Sequence, residues 1–200
     1  ESPERALARL APDIARILDA ALNGRELGFE EGVRLARATG EEVRALVAVA
    51  DRVRQETVGD IVTYVVNRNI NFTNICFVGC SFCAFSRTPK ERDAYALTLE
   101  QVAEKAAEAW QRGATEVCVQ GGLPPEMDGF FYRDILRAIK ARVPEMHIHA
   151  FSPMEIVYGV ERTGMPLRDY LLMLKENGLD TLPGTAAEIL EITQRKETYV

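Results

Sequence analysis

The stretch "YVVNRNINFTNICFVGCSFC" (residues 64–83) decides the fold, because it runs a strand straight into a cysteine-rich loop. Its first half is rich in strand formers. Asn69, Asn71 and Thr73 share one side of the strand, and Ile70 and Phe72 take the other. Its second half spaces Cys76, Cys80 and Cys83 as C-x3-C-x2-C, with no fourth cysteine nearby.

Downstream of that loop a strand–loop–helix rhythm repeats. Thr98 with Gln101 forms a capping box for a helix that ends at Gly113. "TEVCVQGG" (115–122) reads as the second strand, and Asp128 can cap "GFFYRDILRAIKAR" (129–142), which Pro144 closes. "MHIHAF" (146–151) is the third strand. Ser152, Pro153 and Glu155 supply the cap, first-turn proline and capping-box acid of the next helix. "PLRDYLLMLKENG" (166–178) makes a further helix and "LDTL" (179–182) a short fourth strand, while Thr185 and Glu188 open a last helix.

Such alternation implies a parallel sheet with right-handed crossovers, either doubly wound or closed as a barrel. No G-x-G-x-x-G follows the first strand, which weakens the dinucleotide-binding version. A complete barrel has eight units and about 250 residues. The expectation is therefore an α/β fold: a partial (β/α) TIM-type barrel of about four βα units, preceded by a helical N-terminal cap. Residues 1–62 form the cap and 63–200 the N-terminal half of the barrel. In the cap, "PDIARILDAALNG" (12–24) carries Ile14, Ile17, Leu18, Ala21 and Leu22 on one stripe. "FEEGVRLARATG" (29–40) follows, and "EEVRALVAVADRVRQETVG" (41–59) places Val43, Leu46, Val47, Ala50 and Val53 at helical spacing.

Composition narrows the function. The chain has 200 residues, 47% hydrophobic and 27% charged, as in an ordinary globular protein. Its net charge of −6 argues against a sequence-independent grip on nucleic acid. No apolar run suits a bilayer and no leader opens the chain, so no membrane role is expected. Four cysteines without a secretion signal read as cytoplasmic, metal-binding thiols. The first residue is Glu1 rather than Met, which suits a processed, trimmed or partial chain.

Strand facing nominates a pocket. Cys118 and Gln120 oppose Val117 and Val119, and His147 and His149 oppose Ile148 and Ala150. A purely structural barrel centre would be filled with aliphatic side chains. Asn69, Asn71, Gln120, His147 and His149 therefore either line a cavity for a polar substrate or lie at strand ends in water. Thiolates in the loop suit an iron–sulfur cluster or zinc. Structural zinc closes with four ligands, and His147 or His149 could complete such a site; Cys118 reads as a core thiol. A four-iron cube on three thiolates instead leaves one iron open to a substrate or cofactor.

With Phe82 just before its last cysteine, the C-x3-C-x2-C loop resembles that of the radical S-adenosylmethionine enzymes. The resemblance implies a 4Fe-4S cluster on Cys76, Cys80 and Cys83, with S-adenosyl-L-methionine chelated by the open iron. One electron from the cluster cleaves that cofactor to methionine and a 5′-deoxyadenosyl radical, in a lumen that shields the radical from water. It also implies that main chain around Phe82 lies near the adenine. Gly121 and Gly122 match the family's glycine pair near the methionine amino group, where a missing side chain permits close approach.

"NRNINFTNICFVGCSFCAFSR", "QGGLPP", "HIHAFSPMEI" and "LPGTAAEIL" further resemble the hydroxybenzyl-transferase family of the FO synthases, over roughly residues 12–190. That family implies deazaflavin biosynthesis. The 4-hydroxybenzyl group of L-tyrosine passes to 5-amino-6-(D-ribitylamino)uracil, releasing 2-iminoacetate, methionine and 5′-deoxyadenosine. The implied partners are an electron donor such as ferredoxin or flavodoxin and a ring-closing radical enzyme, separate or fused. By this resemblance the chain is a truncated piece lacking strands five to eight. Glu188 is either a contact of that site or the capping partner of Thr185, and Arg87 and Tyr95 either line the site or lie on a surface loop. The rival enzyme group is the aminofutalosine synthases of menaquinone biosynthesis, and the rival class is a non-catalytic iron–sulfur or zinc module.

Overall fold

The computed structural model describes residues 3–81 and 83–184. Thr185, Glu188 and the expected last helix lie outside the described residues, as does Phe82. The chain divides into two compact units between Thr63 and Tyr64.

The first unit is helical: α1 (Pro3–Leu7), α2 (Pro12–Leu22), α3 (Phe29–Ala36) and α4 (Glu41–Val58). Ile14 and Leu18 of α2 pack with Ala45 and Val49 of α4, and Leu35, Leu46 and Val53 close around them. Arg34 of α3 ties the neighbouring helices together, reaching Asp13 and Glu42 at 2.7 Å each. The stripe expected on α4 is rotated. Val43, Val47 and Ala50 are exposed, and the buried positions are Ala45 and Val49. Residues 45–50 are apolar almost all round, so spacing alone does not set which face turns inward.

The second unit alternates strand and helix: β1 (Asn67–Asn71), α5 (Leu99–Gln111), β2 (Glu116–Gln120), α6 (Phe131–Arg142), β3 (His147–Ala150), α7 (Pro153–Thr163) and α8 (Leu167–Glu176). The strands form a parallel sheet in the order β1-β2-β3. The fourth strand is reduced to one bridge, Thr181 against His149. Its backbone continues the sheet even so: Thr181 N donates to the Ile148 carbonyl, and the Thr181 carbonyl accepts from Ala150 N. Each strand buries one face. Ile70, Val117, Val119, Ile148 and Ala150 lie under Val102, Tyr132, Ile135, Leu136 and Ile139 of the helices. The hydroxyl of Tyr132 is buried without a hydrogen-bond partner among the described residues.

Helix starts follow local chemistry. Thr98 and Gln101 exchange both capping-box hydrogen bonds on α5, and Ser152 and Glu155 do so on α7. Asp128 does not cap α6. Its carboxylate accepts from Phe130 N at 3.0 Å, making a turn before the helix, and Phe130 takes the N-cap position without a side-chain bond. No helix among the described residues is long and apolar enough to cross a membrane.

These packings set an expected contrast in the helical unit. Ile14→Ala should lower the unfolding free energy by about 2–5 kcal/mol, whereas Val47→Ala should change it by less than about 0.5 kcal/mol. Urea unfolding of the full-length protein measures both, and equal losses would contradict the buried face assigned to α4.

Candidate functional site

Parallel strands put the ends of β1, β2 and β3 at one rim, and the cysteine loop leaves from the end of β1. A return segment holds that loop. Leu97 N donates to the Phe72 carbonyl and Arg87 N to the Asn74 carbonyl, while Cys76 N donates to the Arg87 carbonyl. Asn74 is buried and serves the return twice more: its amide donates to the Asp93 carbonyl at 2.9 Å, and its oxygen accepts from Tyr95 N at 2.8 Å. Thr73 Oγ1 donates to the Tyr95 carbonyl, and Arg87 pairs with Asp93 at 2.8 Å. Arg87 and Tyr95 thus brace the loop. Asn74, which the sequence reading passed over, is its central fastener. Its signal is weak: one polar residue in "FTNIC", where a strand gives way to a loop.

The second loop at the rim carries Gly121 and Gly122. Gly122 N donates to the Thr73 carbonyl at 2.9 Å, and Phe77 N donates to the Leu123 carbonyl at 3.0 Å, so the two loops are laced by backbone. A Cβ on Gly122 would collide with the Ile75 carbonyl oxygen and lie 2.9 Å from Cys76 Cβ. One on Gly121 would lie 2.6–2.8 Å from the Phe72 ring. Both glycines are therefore required by protein packing alone. Glu155 closes the third side: its carboxylate accepts from Gly121 N at 3.0 Å. Burial pushes this carboxyl up to about 7, against the pull of hydrogen bonds from Ser152 and Gly121. The sequence showed Glu155 only as a capping acid, and that role hid its reach to another loop.

The polar strand face is ordered by height. Asn71 pairs in register with Gln120 at the rim, Asn69 with Cys118 and His149 one step down, and Asn67 with Glu116 and His147 at the opposite end. The structure therefore gathers Asn71 and Gln120 with the two loops and places His147 farthest from them. Both histidines contact Thr181 Oγ1, His149 through Nδ1 at 2.7 Å and His147 through Nε2 at 3.0 Å. Asn69 donates to Asn71 Oδ1 at 2.6 Å. Against the other side of the rim lies a largely apolar cavity of about 480 Å³, lined by residues including Phe72, Pro124, Met127 and Phe131.

Donor chemistry decides what the cysteine loop can hold. Burial raises the Cys80 thiol, and the neighbouring Cys76 and Cys83 sulfurs raise it further by charge repulsion. A cationic iron core relieves that repulsion and suits all-thiolate ligation. Among the described residues, no three His, Cys, Asp or Glu side chains, the three cysteines included, lie close enough together to hold a metal ion. Cys118 stands apart in β2, its thiol also raised by burial.

The profile of the Radical SAM superfamily matches residues 70–196. The chain is 51% identical over 191 residues to FO synthase of Streptomyces coelicolor, covering 95% of this chain and 22% of that protein. It is 49% identical over 162 residues to the 5-amino-6-(D-ribitylamino)uracil–L-tyrosine 4-hydroxyphenyl transferase of Methanothermobacter thermautotrophicus, covering 81% of this chain and 44% of that one. The chain thus spans about a fifth of the first relative and under half of the second. The FeFe-hydrogenase maturase HydG from Carboxydothermus hydrogenoformans superposes with a TM-score of 0.57 at 22% identity, over 85% of this chain and 47% of HydG. That likeness concerns the fold: an α/β, partial barrel wall.

The lacing of the two loops sets a test. Gly122→Ala should cost about 1–3 kcal/mol through overpacking against backbone. It should also lower the iron retained after anaerobic reconstitution. Gly32→Ala in α3, where a Cβ meets nothing within 4 Å, should leave iron content unchanged. Equal iron retention in both variants would refute the coupling.

Proposed function

The chain belongs to the Radical SAM superfamily, and we propose that it carries the cluster-bearing part of a cytoplasmic enzyme of deazaflavin biosynthesis. The proposed reaction moves the 4-hydroxybenzyl group of L-tyrosine onto 5-amino-6-(D-ribitylamino)uracil, releasing 2-iminoacetate, methionine and 5′-deoxyadenosine. The observation that carries this reading is the 49% identity to a transferase whose name contains both substrates, over 81% of the chain. Every thiol that the chemistry needs falls within the matched region.

Cys76, Cys80 and Cys83 would hold a 4Fe-4S cluster, leaving one iron open to S-adenosyl-L-methionine. When bound, the pair supplies one-electron cleavage of a sulfonium and hence a carbon radical that abstracts hydrogen. The protein's own part is placement and shielding. Gly121 and Gly122 let the loop after β2 pack directly on Phe72, Ile75 and Cys76, and the carbonyls of this pair would face the amino group of the cofactor. Asn71 and Gln120, level with each other at the rim end of the polar strand face, would turn their amides to the polar edges of the substrates, and Asn69 and His149 would continue that surface one step below. His147 belongs to the same face at its far end. Main chain near Phe82 is assigned to the adenine. An electron donor such as ferredoxin or flavodoxin, and a ring-closing radical enzyme acting on the product, complete the proposed assignment.

Anaerobic reconstitution of the full-length protein should give about four irons per chain, and Cys80→Ala should lose them. A single zinc in their place would sink the proposal. The reconstituted enzyme should turn over tyrosine with ribitylaminouracil and leave a chorismate-derived enolpyruvyl benzoate untouched; the reverse preference would assign it to menaquinone biosynthesis. His149→Ala should raise the KM for a substrate, and unchanged kinetics would remove His149 from the pocket.

A further inference from the structure

Glu155 is 2% exposed, and its two carboxylate oxygens serve different parts of the fold. Oε2 accepts from Ser152 N and Ser152 Oγ, each at 2.7 Å, and completes the capping box of α7. Oε1 accepts from Gly121 N at 3.0 Å, 34 positions earlier in the chain. A capping box needs only the first of these, since on an exposed first turn water satisfies the other oxygen. Here burial removes the water, and no cation pairs with the carboxylate among the described residues. The titratable groups that sense its charge are Cys118 of β2 and Tyr132 of α6. A buried carboxylate is costly unless donors replace its hydration, so its contact with Gly121 is a constraint on the loop.

The peptide that Glu155 grips is held from both ends. The Gln120 carbonyl accepts from Phe72 N at 3.2 Å, and Gly121 N donates to Glu155. The following amide, Gly122 N, donates to the Thr73 carbonyl. Phe151, with φ of +65°, makes the corner from β3 that delivers Ser152 and Glu155 to this point. A bulky residue in that region is strained and persists only where its surroundings demand it.

From this geometry we infer that Glu155 is a positioning residue for the sulfonium cofactor: by clamping Gly121 N it sets the direction in which the glycine pair presents its remaining backbone groups. The role rests on the proposed function, because it presumes that S-adenosylmethionine docks beside the cysteine loop. A purely structural cap would act through the start of α7 alone, and two substitutions separate the roles. Glu155→Gln can keep its oxygen on the Ser152 donors, but it then sets an NH2 group against Gly121 N, donor against donor. Ser152→Ala removes the cap hydroxyl and leaves the Gly121 contact in place.

In the full-length, anaerobically reconstituted protein, equilibrium dialysis should show Glu155→Gln weakening S-adenosylmethionine binding by about tenfold or more, and Ser152→Ala by less than about twofold. Hydrogen exchange without cofactor should show the amide of Gly121 opening faster in Glu155→Gln only. Thermal midpoints should rank the other way, with Ser152→Ala the lower. Glu155→Asp, which keeps the charge and shortens the reach, should reproduce the binding loss and serves if the glutamine variant does not fold. Unchanged binding in both Glu155 variants, or losses that simply track stability, would overturn the role. A wild type that binds no S-adenosylmethionine would overturn the cofactor assignment and this role together.

Discussion

Nothing larger than a hydrogen atom fits between Gly122 and the carbonyl of Ile75. That contact is the constraint on which the rim depends. It brings the loop after β2 against the loop after β1 until their backbones exchange hydrogen bonds, so Thr73 and Phe77, on either side of Cys76, are tied to the neighbouring loop. Parallel register then does the rest. Because β1, β2 and β3 run the same way, whatever follows each strand collects at one end, and the chemistry collects there with it.

The polar face of the sheet shows how far such an arrangement can be graded. Moving down from the rim, the rows pass from amides, through Asn69, Cys118 and His149, to the Asn67, Glu116 and His147 row. Each row is one pleat farther from the cysteine loop, about 7 Å per two residues. Thr181 ties the two histidines together, so the lower rows are already committed to partners within the protein. The upper row is engaged as well: Asn71 Oδ1 accepts from Asn69, and the Asn71 amide donates to the Gln120 carbonyl.

Much of this was legible in the residues because local chemistry and global fold agree. The alternation of Asn69 through Thr73, the capping boxes at Thr98 and Ser152, and the spacing of the cysteines each point to one structure, and the sheet follows. What escaped was of two kinds. On α4 the apolar residues form a band too wide to reveal which edge is buried, and the Asp128 carboxylate that could cap a helix instead closes a turn ending at Phe130, two residues on. Asn74 and Glu155 escaped for a deeper reason. Their partners lie about twenty and thirty-four positions away, and neither breaks a local rule, since an asparagine in a loop and a glutamate in a first turn are unremarkable.

Phe151 carries a different lesson, about what the corner between β3 and α7 gives up. Its aromatic ring is fully buried, 4.7 Å from that of Tyr132, while its backbone occupies a conformation that glycine would adopt freely. Glycine there would ease the turn and empty the ring's place in the core. The residue settles a competition between a comfortable main chain and a filled interior, and the interior wins. Backbone unease is thereby stored one residue before the helix whose first turn grips the glycine loop. Among the described elements, that corner is the place where a gain in ease of folding would be taken directly from the rigidity of the rim.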